Sequence, residues 1–234
     1  MPTKNSKRVE LDSLEPTVPF GAALLIFFAV IVGTLLMVNL LDSWLPTLGQ
    51  SFTGSTPQAY WDLARSSGIV AYLLMWLSVA FGLLITNRMA RVWPSGPTAF
   101  DIHQFSSLMG VAFALFHGLV LLGDPYIKYT LPQIAIPFGS INYQQFWVGL
   151  GQIAFYMLIP ITFSFYMRKQ ISANVWRWIH YGSFISFAMI TVHALLAGSD
   201  ATNILVLGMY VVTGALIFFL TLYRMISMAD GATA

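Results

Sequence analysis

Four histidines, His103, His117, His180 and His193, are the side chains in this sequence best suited to metal chemistry. They form two pairs, H-x13-H and H-x12-H, and each pair lies inside a stretch apolar enough to cross a bilayer. An ionisable side chain inside a membrane span is costly and marks a functional candidate. Imidazole at such a place can ligate a metal or carry a proton. The chain has no cysteine, which removes disulfides, iron–sulfur clusters, thiolate zinc sites and the CxxCH attachment of a c-type haem.

The elements that must position these residues follow from composition. Of 234 residues, 57% are hydrophobic and only 9% charged. A soluble domain carries roughly 25% charged residues, so most of this exterior must face lipid. A helix needs about 20 apolar residues to cross a bilayer. Six stretches qualify: Phe20–Leu41, Gly68–Ile85, Ile102–Leu122, Phe146–Met167, Trp178–Ala197 and Ile204–Tyr223. None alternates with period two, so helices are expected. The expected fold is an all-α, integral membrane six-helix bundle. Its domain runs over 20–225, with tails at 1–19 and 226–234.

Lysine and arginine set the orientation. With the N-terminus in the cytoplasm, Lys4, Lys7, Arg8, Arg88, Arg91, Arg168, Lys169, Arg177 and Arg224 fall inside, and only Arg65 and Lys128 fall outside. Both termini are therefore expected to be cytoplasmic. The two longer outside loops, Asp42–Ser67 and Gly123–Gln145, are rich in Pro, Gly, Ser, Tyr and Trp and are suited to folding over the helix ends.

Spans three and five both run from inside to outside. His103 and His180 then lie near the inner surface, and His117 and His193 near the outer one. At 1.5 Å per residue, each pair is separated by roughly 20 Å. The histidines thus form two levels, each with one imidazole from each helix. Two facing imidazoles are the axial ligands of a low-spin haem, and two levels accommodate two non-covalent b-type haems. On span three the spacing falls about 40° short of whole turns. On span five it leaves His180 and His193 about 140° apart, so either that helix is distorted or the two groups approach it from different sides.

Ser106, Ser107, Gly110 and Ala114 on span three, and Gly182, Ser183 and Ser186 on span five, are small enough to face a porphyrin. They equally suit close helix packing. One metal cluster is excluded by the distance between levels. A proton relay is disfavoured because the carboxylates lie in tails, loops or span ends, where proton pathways rarely place them. A transporter is disfavoured by the lack of broken spans, Pro160 being the one proline well inside a helix. A pigment-binding or scaffold subunit of a larger redox complex is the alternative. The run from Gly149 to Ala154 resembles a degenerate GxGxxA, but no strand precedes it, and helix packing is its expected role.

Three segments carry a resemblance: ARSSGIVAYLLMWLSVAFGLLITNR on span two, HQFSSLMGVAFALFHGLVLL on span three and WRWIHYGSFISFAMITVHALLAGSD on span five. The chain resembles the ferric reductase-like transmembrane domain shared by ferric reductases, NADPH oxidases and the haem subunit of the bacterial methionine sulfoxide reductase system. The likeness spans about Arg65 to Tyr223. It implies that His103 pairs with His180 on the inner haem iron and His117 with His193 on the outer. It also implies electron flow from a cytoplasmic flavin- or nicotinamide-linked donor to an outside acceptor. Arg65 matches an arginine that such proteins place near the outer haem propionates, although an interfacial arginine would sit there too. Arg88 and Arg177 have the same two readings at the inner end.

Two departures stand out. The oxidases place an aromatic between the haems where this chain has Ser186, with Phe184 and Phe187 nearby. These 234 residues also hold no flavin or nicotinamide domain. The donor is therefore expected to be a separate cytoplasmic flavoprotein reductase or another redox partner. The acceptor is expected to be a protein or small molecule outside. The expectation is thus a multi-pass subunit of the plasma membrane, an oxidoreductase component with the bilayer and redox proteins as partners. No nucleic acid is expected.

Overall fold

The computed structural model describes residues 15–44 and 59–232. Lys4, Lys7, Arg8 and most of the loop expected over Asp42–Ser67 lie outside the described residues. Six long helices are present: α1 Phe20–Trp44, α2 Ala59–Thr86, α3 Gly96–Val120, α4 Gln145–Phe163, α5 Ala173–Ala197 and α6 Ile204–Ala232. Each is long and apolar enough to cross a membrane. Among the described residues there is no strand. A short helix, Leu131–Ala135, lies between α3 and α4.

Several boundaries differ from the hydropathy reading for identifiable reasons. α2 starts nine residues before Gly68, at Ala59, so Arg65 stands in the helix and not in the loop before it. Asp62 in its first turn pairs with Arg65 one turn on, at 3.2 Å, and also suits the positive helix N-terminus. α3 starts at Gly96, where the Ser95 side chain accepts from Thr98 N–H and Pro97 fills an early position that needs no donor. α5 starts at Ala173 behind a Ser172 cap. α4 stops early, at Phe163, where the Ser164 N–H closes the last turn on the Pro160 carbonyl.

α2 and α3 form the most extensive pair, and α4 with α5 the next. Small residues let the backbones approach without a hydrophobic drive between helices. Gly110 of α3 receives Met75 of α2, and Gly182 of α5 receives Ile161 of α4. α6 leans on α2 through Tyr72, whose hydroxyl pairs with Thr213 at 2.7 Å and whose ring meets Tyr210 edge-on. α1 rests on α3 and leaves Leu24, Leu25 and Phe28 exposed, as α6 leaves Val211, Val212, Phe218 and Phe219. Those faces match lipid.

One end of the bundle carries Arg88, Arg168, Lys169, Arg177 and Arg224 and is called the basic end below; the other is the far end. Exposed Trp93 and Trp178 at the basic end, and Tyr126 at the far end, suit the two membrane interfaces.

α3 and α5 bear all four histidines, yet they are not among the closely packed pairs. α2 and α4 hold them apart.

Candidate metal centres: two facing histidine pairs

At the basic end the rings of His103 and His180 face one another with centroids 5.8 Å apart and planes at 69°. His103 comes from the second turn of α3. Its Nδ1 lies 2.7 Å from the Ser78 carbonyl oxygen of α2. Ser78 also pairs with Ser107 through their hydroxyls, at 2.6 Å. His180 is held differently. Its ring stacks on Trp176, one turn earlier on α5, at 5.0 Å and 18°, and its Nδ1 is buried without a partner. A cavity of about 90 Å³ adjoins this pair, bounded by Gly82, Ser107, Ser183 and Arg224 among others.

At the far end His117 and His193 face one another at 6.3 Å with planes at 77°. His117 Nδ1 lies 2.6 Å from the Ala64 carbonyl oxygen of α2, and His193 Nδ1 lies 2.9 Å from the Trp147 carbonyl oxygen of α4. The adjoining cavity measures about 430 Å³. Its mouth carries Arg65, whose guanidinium donates to both carboxylate oxygens of Asp200, one at 2.7 Å, and to Asp62.

The loop after α3 folds over this cavity, as its composition suggested. Gln152 of α4 pins it by donating to the carbonyls of Gln133 and Ile134, at 2.8 and 2.7 Å. Tyr143 of the same loop donates to the Ala197 carbonyl at 2.8 Å, and Tyr129 accepts from Ser140 at 3.0 Å. Burial pushes both phenols above their usual pKa, so each remains a neutral donor or acceptor beside the cavity.

α5 is one continuous α-helix from Ala173 to Ala197, and its two histidines are held in different ways. His193 lies against α4, while His180 lies along its own helix against Trp176. The small residues divide as well. Ser107, Ala114 and Ser183 line the cavities, whereas Gly110 and Gly182 serve helix contacts. Ser106 is fully buried and bonded back to the Ile102 carbonyl at 2.6 Å. Met75, Leu158 and Ile190 line both cavities and form the wall between them. Beside that wall Phe187 stacks on Tyr72 at 5.6 Å, while Ser186 is buried with its hydroxyl unpartnered.

The pairs fit an iron porphyrin. With Nδ1 donating to a carbonyl, Nε2 carries the lone pair, and among the described residues no Nε2 of these histidines has a protein partner. A metal–imidazole bond is about 2 Å, and with about 1.2 Å more from nitrogen to ring centre, two in-line ligands place their centroids roughly 6.4 Å apart. The far pair stands at 6.3 Å and the basic-end pair at 5.8 Å. Among the described residues no three His, Cys, Asp or Glu side chains converge as a metal site. Two-ligand sites suit a metal that arrives with four ring nitrogens of its own.

The family model described as ferric reductase like transmembrane component matches residues 67–192. The chain belongs to that family. The match takes in His103, His117 and His180, begins two residues after Arg65 and ends one residue before His193. No curated protein and no solved structure matches the chain. A ferric reductase-like transmembrane domain points to a redox function across the membrane.

Spacing located the histidines but not what surrounds them. Arg224 lines the basic-end cavity, whereas Arg88 and Arg177 do not. Asp200 partners Arg65 from 135 residues away, which no local pattern encodes. Trp176, one turn before His180, carried a usable signal, because residues four apart on a helix share a face.

Proposed function

We propose that this chain carries electrons across the plasma membrane through two bis-histidine b haems, from a cytoplasmic flavin- or nicotinamide-linked donor to an acceptor outside. The observation that carries the reading is the pair of facing imidazoles at two depths, each with an Nε2 free of protein partners. When bound, b haem supplies a one-electron carrier at each level. His103 and His180 hold the inner iron, and His117 and His193 the outer. Two imidazoles on each iron would leave no position open to a substrate, which favours electron transfer over chemistry on a ligand.

The basic end is read as cytoplasmic. Five described cations gather there, in accord with the bias of Lys and Arg toward the inside. Arg65, tied to Asp200, stands at the outer mouth, where it would offset the carboxylate charge of the outer haem. Arg224 stands beside the inner one. The donor is a separate flavoprotein docking at the basic end.

The test is haem stoichiometry with a dithionite-reduced-minus-oxidised spectrum on detergent-purified protein. Two b haems per chain with a sharp α-band support the reading. Folded protein made with haem available and containing none overturns it.

A further inference from the structure

Three of the four imidazoles are seated by one repeated device. His117 Nδ1 reaches the carbonyl of Ala64, His103 Nδ1 that of Ser78 and His193 Nδ1 that of Trp147. Four residues after each of these carbonyls stands a glycine: Gly68, Gly82 and Gly151. A helix carbonyl already accepts the N–H four residues on, and its second lone pair is free for another donor. The Cα–Cβ bond on a helix tilts toward the N-terminus, so the side chain four residues on covers the turn where that carbonyl lies. Only glycine leaves it uncovered.

The distances agree. A Cβ on Gly151 would stand 2.6 Å from His193 Nδ1, one on Gly68 3.0 Å from His117 Nδ1, and one on Gly82 3.3 Å from His103 Cε1. Backbone freedom does not account for these glycines, since none of the described glycines has a positive φ. Helix propensity alone favours alanine at all three places.

We infer that Gly68, Gly82 and Gly151 are positioning residues: each opens one helix carbonyl to one imidazole, fixing that ring's tautomer and aiming its Nε2 at the metal. Hydrogen-bonding of the distal nitrogen sets ligand orientation and raises ligand basicity. His180 lacks the device; its Nδ1 is unpartnered and Trp176 sets its plane instead. The inference rests on the two-haem reading above and deepens it.

The test substitutes each glycine by alanine in the full chain, with Gly208→Ala and Gly214→Ala as controls, because a Cβ at either control meets nothing within 4 Å. Haem per chain and the midpoint potential of each haem are read together. Gly151→Ala and Gly68→Ala are expected to lose the outer haem, leaving one per chain, with Gly151→Ala the more severe. Gly82→Ala, with the loosest contact, is expected to keep two haems while the inner midpoint potential rises, because its ligand has lost basicity. Both controls keep two haems at unchanged potentials.

A general packing defect would lower both haems together and would not move one potential alone. Two haems at unchanged potentials in all three variants overturn the inference and leave the two-haem reading standing. An unsubstituted chain with no haem overturns both. Should Gly151→Ala fail to accumulate, Gly82→Ala decides through its potential.

Discussion

At the far end both imidazoles are tied to helix carbonyls, and the cavity beside them measures about 430 Å³. At the basic end only His103 is tied, His180 rests on Trp176, and the cavity measures about 90 Å³. Ligand pockets commonly fall between about 300 and 1,000 Å³; the far cavity lies in that range and the basic-end cavity below it. The same two helices supply both pairs. The difference comes from their neighbours: α4 offers a carbonyl at Trp147 to His193, while His180 finds none. Symmetry in the ligand spacing therefore does not bring symmetry in the sites.

The largest expected effect breaks the pairing itself. His103→Ala or His180→Ala should remove the inner haem, and His117→Ala or His193→Ala the outer. Each variant should retain about half the haem, measured per chain in purified protein. Equal haem content in all four variants and the parent would refute the pairing. The far site, with the larger cavity, should also fill first. When less than one equivalent of haem is added to haem-depleted protein, the His103→Ala variant should take it up more tightly than the His193→Ala variant. The reverse order would mean that cavity volume does not govern assembly here.

That asymmetry marks the limit of what the sequence made legible. Six spans and four histidines were readable because hydropathy and spacing are local properties. The start of α2 was not, because Ala59–Ser67 mixes apolar residues with polar ones, Asp62 and Arg65 among them, and falls below the hydropathy of the span. The angular offset of His180 and His193 left open a distorted α5 or an approach from two sides; α5 is one continuous α-helix, and each histidine has its own kind of support, a carbonyl for His193 and Trp176 for His180. Gly151 lay in a run that read as packing, and it does pack, but against an imidazole. The acceptors are backbone carbonyls, so any side chain can stand at Ala64, Ser78 or Trp147, and the only mark in the sequence is the glycine four residues on.

A middle-sized effect should follow the Arg65–Asp200 pair at the far end. Asp200→Asn leaves the guanidinium with one fewer compensating charge, and a positive charge favours the reduced iron. The outer midpoint potential should rise by tens of millivolts, and Arg65→Gln should lower it by a similar amount. The inner potential should stay within error in both. A shift in the inner haem alone would place Arg65 at the wrong site. Trp176→Leu probes the other end. A stacked aromatic pair is worth about 0.5–1.5 kcal/mol, so inner haem affinity should fall roughly two- to tenfold. Outer haem binding should not change.

The smallest effect discriminates backbone from side chain as the anchor of His103. Its Nδ1 lies 2.7 Å from the Ser78 carbonyl oxygen and 3.2 Å from the Ser78 hydroxyl. The hydroxyl already pairs with Ser107 at 2.6 Å. An N–H has one proton to give, and the shorter contact takes it. Ser78→Ala keeps the carbonyl and removes only the hydroxyl, so the ring should remain tied. Both haems should be retained and the inner midpoint potential should move by less than about 20 mV, well under the 59 mV that marks a tenfold change in a one-electron equilibrium. A loss of the inner haem in Ser78→Ala would mean that the serine side chain orients His103, and the carbonyl device would then hold for the far pair alone.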